Sequence, residues 1–242
     1  MSKFILMLIF VGLGLFVLFS FVLEWYRKKE LQERRTLDLR ILALENDAQF
    51  YERDQTFDAK LSRYNLAYKM GGIARNIRSK RFFGFTVYFF DFSYVGNGRS
   101  RSLEYVNGIL IELDSYDFPR FHIAHKTIFS WLNLTGYAQV PKRFEPEWMP
   151  RTAFVFADRI DHDTVFNLLK ERKELGMVIK SQDFEKVLFR AEYVAVYYRG
   201  LPPADLRHYQ SQMIWAVKIA RIFGISITEL AGDGEATNTS EK

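Results

Sequence analysis

Cysteine is absent from the 242 residues, which excludes disulfide frameworks, thiolate-held zinc, iron–sulfur clusters and a thiol nucleophile. Charge is missing between Lys3 and Glu24, glycine and proline are missing between residues 24 and 58, and acidic side chains are missing between Asp58 and Asp91. Signatures of chemistry are missing too. There is no G-x-S-x-G elbow, no H-E-x-x-H, no G-x-G-x-x-G, and no G-x-x-x-x-G-K loop after Gly71-Gly72.

What is present suits one sizeable folded domain with appendages. A charged fraction of 26% and an aromatic fraction of 17% exclude disorder along the whole length. The mean hydropathy of -0.14 averages over unlike parts. Phe4 to Leu23 reads FILMLIFVGLGLFVLFSFVL, which as a helix spans about 30 Å, the hydrocarbon thickness of a bilayer. It is longer than the apolar region of a signal peptide and runs straight into Glu24, Trp25 and Tyr26, without small residues for cleavage. The expectation is an uncleaved single transmembrane helix at 4–23.

Orientation follows from the flanks. Lys3 stands alone on one side, whereas Arg27, Lys28, Lys29, Arg34 and Arg35 follow the other end. The positive-inside rule places the short N-terminus (1–3) outside and the main domain in the cytoplasm. Trp25, Tyr26, Arg27, Lys28 and Lys29 are the candidate membrane-interface residues. The lipid bilayer is the first expected partner.

Residues 24–58 read as a charged helical stalk. Leu37, Ile41, Leu44, Ala48 and Tyr51 recur at spacings of 4, 3, 4 and 3, a narrow seam covering about two heptads. It can pair with a second copy as a short coiled coil or lie against the following domain. Beyond it, Lys60, Arg63, Lys69, Arg75, Arg78, Lys80 and Arg81 form a run without acids. These residues are candidates for contact with a polyanion or a partner, against the plainer account of a solvated face. Nucleic acid is the weaker of the partner readings.

The domain expected at 60–225 is α+β, with a mainly antiparallel sheet and two principal helices. Phe82–Tyr94 and Ser102–Leu113 form a hairpin around Gly96-Asn97-Gly98, the first strand being apolar on both faces. Phe121–Ala124, Thr152–Ala157 and one or two strands over 185–199 follow. The stretch holding Pro141, Pro146 and Pro150 reads as a loop with at most a short helix near Trp131. Asp161 or Asp163 can cap a helix ended by Gly176. A second helix over 205–223 presents Leu206, Tyr209, Met213, Ala216, Val217, Ala220 and Phe223. Residues 231–242 form a polar, disordered tail.

The anchor at 4–23, the segment FVFADRIDHDTVFNLLKERKEL and the following FRAEYVAVYYRG resemble uncharacterised bacterial single-span membrane proteins with a cytoplasmic α+β domain. The resemblance implies an architecture and transfers no site residue.

Catalytic, cofactor and metal residues are not assigned by these patterns. His122 and His125 are the close histidine pair, but positions three apart on a strand face opposite ways. Asp158, Asp161, His162 and Asp163 are the densest polar cluster, and helix capping accounts for them economically. The expected function is a membrane-anchored, non-enzymatic interaction or scaffold module that docks a protein partner or self-associates. The alternative is a tethered hydrolase using Asp158, Asp161 and His162, or His122 and His125. A third reading is nucleic-acid binding through 60–81. Residues 60–225 hold 25 Lys and Arg against 16 Asp and Glu, so the domain is basic.

Overall fold

The computed structural model describes residues 3–69, 71–96, 103–114, 116–125, 138–141, 149, 153–180 and 184–224. The expected turn at Asn97-Gly98, the segment around Trp131, most of the proline-containing stretch and the 231–242 tail lie outside these residues. Side chains before Gly12, and those of His125, Ile179 and Lys180, also fall outside.

Helix α1 runs unbroken from Lys3 to Glu45 over 43 residues. Among the described residues no helix is long and apolar enough to cross a membrane. The Phe4–Leu23 run is a property of the sequence whose first part, Phe4 to Val11, lies outside the described side chains. The helix does not continue to residue 58 as the uninterrupted charge pattern suggests. It ends at Asn46-Asp47, where Asp47 takes a positive φ of 51°, the left-handed geometry that stops a helix. Strand β1 (Gln49–Tyr51) and helix α2 (Gln55–Arg63) follow. Asp54 caps α2, accepting a hydrogen bond from the Thr56 amide at 2.8 Å.

The remaining elements are β2 (Ile73–Phe82), β3 (Phe85–Val95), β4 (Leu103–Leu113), β5 (Phe118–His125), β6 (Ala138–Gln139), β7 (Ala153–Ala157), α3 (His162–Glu171), α4 (Lys173–Lys180), β8 (Phe184–Ala191), β9 (Tyr193–Arg199) and α5 (Leu206–Ile222). The nine strands form one sheet in the order β1-β2-β3-β4-β9-β8-β5-β7-β6, antiparallel at every pairing. The α+β class is therefore observed. Strand β2 corrects the plain reading of the basic run, because Arg75, Arg78, Lys80 and Arg81 of that run lie on a strand of the sheet. Gly176 lies inside α4 rather than ending a helix.

Period-two alternation distributes β3 between two cores. Phe85, Val87 and Phe89 enter a core with Leu39 and Leu42 of α1, Val165 and Leu169 of α3, and Trp215, Ala216 and Ile219 of α5. Phe90, Phe92 and Tyr94 enter the opposite core with Phe57 and Leu61 of α2, Ile77 and Tyr197. An apolar strand buried on both faces belongs in the middle of a covered sheet, and β3 lies between β2 and β4.

Two stripes differ from the sequence expectation. On α1, Leu37, Ile41 and Leu44 face outward at 55%, 46% and 70% exposure, while Leu39, Leu42 and Ala43 are buried. The helix does lie against its own domain, but through the neighbouring face. On α5, Leu206 is exposed and Gln212, Trp215 and Ile219 are buried. Gln212 is turned inward by a polar demand from the sheet.

Candidate functional site: a buried polar junction

That demand comes from Asp91 on β3, which sits on the α1–α5 side of the sheet where an apolar residue would continue the Phe85–Val87–Phe89 series. An unpaired carboxylate there would cost several kcal/mol, and the surrounding elements supply donors. Arg35 of α1 donates from Nε to Oδ2 at 2.8 Å and from Nη2 to Oδ1 at 2.9 Å, a bidentate pair. Its Nη1 also donates to the Pro202 carbonyl before α5. Asn76 Nδ2 donates to Oδ2 at 2.9 Å. Asn107, directly across from Asp91 on β4, donates to the Phe90 carbonyl at 3.2 Å and lies 3.5 Å from Oδ1. Gln212 Nε2 of α5 then donates to Asn107 Oδ1. Three segments, α1, β2 and β4, thus reach one carboxylate on β3, and α5 joins through Asn107.

Strand β2 reaches the junction through a bulge. Register between β2 and β3 shifts between Arg75 and Arg78, and Asn76 takes a φ of 52°. The extra residue re-aims the strand, as bulges do beside functional sites. Asn76 then meets Asp91 and Arg78 turns into the core.

Arg78 is 3% exposed. Its guanidinium carbon stands 5.6 Å from the Phe89 ring and 5.8 Å from the Tyr209 ring, and no hydrogen bond satisfies its Nε. Burial lowers its pKa to about 10, Asp91 opposing that shift and Arg35 adding to it. His208, in the first turn of α5, is held below the usual imidazole range by burial and by the charges of Arg78 and Arg35, Asp205 acting the other way. Burial raises Tyr209, and Arg78 opposes it.

On the opposite face Glu112 forms a second polar centre. Lys60 Nζ lies 2.8 Å from its Oε2, Tyr88 and Tyr193 donate to it at 3.1 and 3.4 Å, and Lys60 stacks over both rings. Burial works against the Lys60 ammonium, but Glu112 and Tyr88 outweigh it and the pKa is raised.

The basic run is thus dispersed rather than assembled into one patch. Lys60 meets Glu112, Arg78 is buried, Arg81 pairs with Asp114, Lys80 donates to the Asn46 carbonyl at 2.8 Å, and Lys69 covers the Tyr94 ring at 4.3 Å. Arg63 lies over the Tyr64 ring and, like Arg75, is exposed. The interface candidates stand along one exposed length of α1. Trp25 and Tyr26 pack edge to face at 5.2 Å, Lys29 lies over the Trp25 ring, Lys28 pairs with Glu24, and Arg27 is exposed.

His122 is buried and stacked on Phe156 at 4.8 Å. Burial, with Lys186 and Arg120 nearby, lowers its pKa to about 3, far from that of a base working near neutrality. Asp158 precedes a 3-10 turn at Arg159–Asp161, and Asp161 occupies the N-cap of α3, neither with a side-chain cap bond. The expected capping by these side chains is therefore not observed, and the Asp161 N to Asp158 O bond at 2.9 Å closes the 3-10 turn. Among the described residues no three His, Asp or Glu side chains gather as a metal site. The sequence reading missed Asp91, Asn76, Asn107 and Gln212. The available signal was an acid and an amide interrupting the apolar faces of β3 and β4.

No known sequence family matches the chain, and no curated protein matches it. A solved structure similar in fold is the crystal structure of the mycobacterial trehalose monomycolate transport factor A, TtfA. The match has a TM-score of 0.54 at 8% identity and covers 78% of this chain and 94% of that chain. At that identity the likeness is one of fold alone.

Proposed function

We propose that this protein is a single-pass membrane-anchored interaction module, with residues 4–23 in the bilayer, the N-terminus outside and the basic α+β domain at the cytoplasmic face. The observation that carries the reading is the continuity of α1. The helix that begins with the apolar run ends inside the domain core through Leu39, Leu42 and Ala43, and Arg35 fastens it to Asp91. Anchor and domain then move as one body, and from Leu23 to Arg35 the helix rises only about 18 Å.

The hairpin orientation supports the same placement. Asn46 just past the end of α1, and Arg35 and Gln32 on it, meet Lys80, Asp91 and Tyr105 in turn, and these sheet residues advance toward the Val95–Leu103 end of the β3–β4 pair. That end, with Val95 and Leu103 exposed, points the same way as the apolar run. A partner surface is supplied by Leu37, Ile41 and Leu44, the outward stripe that the domain leaves uncovered. The fold neighbour's role as a transport factor is compatible with a protein that works by docking rather than by catalysis.

The test is crosslinked co-purification of the full chain from detergent-solubilised membranes. The reading expects the chain in the membrane fraction with a partner or second copy crosslinked near residues 37–44. A chain wholly in the soluble fraction, or crosslinks unchanged when that stripe is made polar, contradicts it.

A further inference from the structure

In the interior of the α1–β2–α5 junction two arginines face one aspartate, leaving one positive charge in excess there, because Asp205 at the N-cap of α5 is exposed at the rim. Asp91 is already engaged by Arg35, Asn76 and Asn107. Arg78 is left between the rings of Phe89 and Tyr209. Charges buried in this way are ordinarily matched by a counter-charge and hydrogen bonds. Among the described residues three polar atoms here have no hydrogen-bond partner, namely Arg78 Nε, His208 Nε2 and Tyr209 Oη. They come from β2 and from the first turn of α5, a 17-residue helix whose N-terminus adds partial positive charge.

We propose that this junction binds a small monovalent anion, a halide or a carboxylate, held by Arg78 with the Tyr209 hydroxyl and the His208 imidazole. A single negative charge balances the Arg35–Arg78–Asp91 group. Two carboxylates bound the site and set the charge of its occupant: Asp91, taken up by Arg35, and Asp205, whose Oδ1 accepts from the His208 amide at 2.7 Å. A dianion would be repelled by both. The near-complete burial of Arg78 sets the size. The bound anion ties the strand β2 bulge to α5 beside the Arg35 contact, so it fixes the seating of α1 on the sheet. This inference concerns the junction alone and does not depend on the membrane reading.

The test uses the full chain in detergent and follows its thermal midpoint at constant ionic strength, replacing sodium isethionate with sodium bromide or sodium formate. The expected result is a saturable rise in midpoint, with bromide located beside Arg78 by anomalous diffraction. Arg78→Met abolishes the rise. Should that variant fail to fold, Tyr209→Phe removes only the hydroxyl and is expected to weaken apparent anion affinity about tenfold. Midpoints that are the same in all three salts overturn the proposal, as does a saturable rise undiminished in Tyr209→Phe and His208→Asn. Equal midpoints would leave the guanidinium held by its two rings alone.

Discussion

Asp91 faces Arg35 across the seam between the sheet and α1, with both carboxylate oxygens taken by the guanidinium at 2.8 and 2.9 Å. The pair joins residues 56 positions apart and fastens a helix to the middle of a sheet. Removing the acid strands a buried cation, Arg78, and a part-buried one, Arg35. Asp91→Ala is therefore expected to cost about 3–5 kcal/mol, read as a lowered denaturant midpoint. Replacing both partners, as Arg35→Met with Asp91→Leu, is expected to cost clearly less, and a double-mutant cycle measures the coupling.

Gly108 sits on β4 directly opposite Phe90. A Cβ placed there would lie 2.3 Å from the Phe90 ring, and that ring is fully buried against Phe57 and Tyr197. Gly108→Ala is expected to destabilise by about 1–3 kcal/mol in urea unfolding. An unchanged midpoint would show that the ring has room to move.

Acid should weaken the fold through His122. Its folded pKa of about 3 lies below the unfolded value of 6.5, so only the unfolded chain takes up the proton between them. The stabilising contribution is whole above about pH 6.5 and is lost as pH falls toward 3. By pH 5 the loss amounts to about 2 kcal/mol. His122→Phe should flatten the stability profile between pH 6.5 and 5, measured by unfolding at each pH.

The outer stripe of α1 separates docking from folding. Leu44→Ser, at an exposed position, is expected to change stability by no more than about 0.5 kcal/mol. Leu42→Ala, one turn-face away in the core, should cost about 2–5 kcal/mol. Because the chain has no native cysteine, Leu37→Cys and Leu44→Cys report pairing cleanly. Oxidative crosslinking in native membranes should give a dimer band if the stripe meets a second copy. A partner protein would instead give a heterologous crosslink.

Periodicity made the antiparallel strands legible. Strands β3 and β4 carry period-two apolar faces long enough to outweigh alternatives, and α5 is bounded by Pro203 before its cap and Gly224 after it. Strand β2 was not legible, because Arg75, Arg78 and Lys80 hide its pattern, and Tyr209 and Asn46, which meet Arg78 and Lys80, lie on other elements. The end of α1 at Glu45 was equally hidden. The Asn46-Asp47 pair is the local signal there, two residue types that tolerate the left-handed geometry, but without a glycine or proline it does not stand out from the charged turns before it. The polar junction needed the fold itself. Asp91 and Asn107 read as interruptions in apolar strands until the register set them side by side beneath Arg35 and Gln212.

If α1 carries a membrane span directly into a cytoplasmic domain, as proposed, the two ends of the chain lie on opposite sides of the bilayer. Single-cysteine variants at Ser2 and Asn238, treated in intact cells with a membrane-impermeant maleimide and again after lysis, test it most directly. The account predicts that position 2 labels in intact cells, that position 238 labels only after lysis, and that the chain resists carbonate extraction. Labelling of both positions in intact cells, of neither, or release of the chain by carbonate would contradict it.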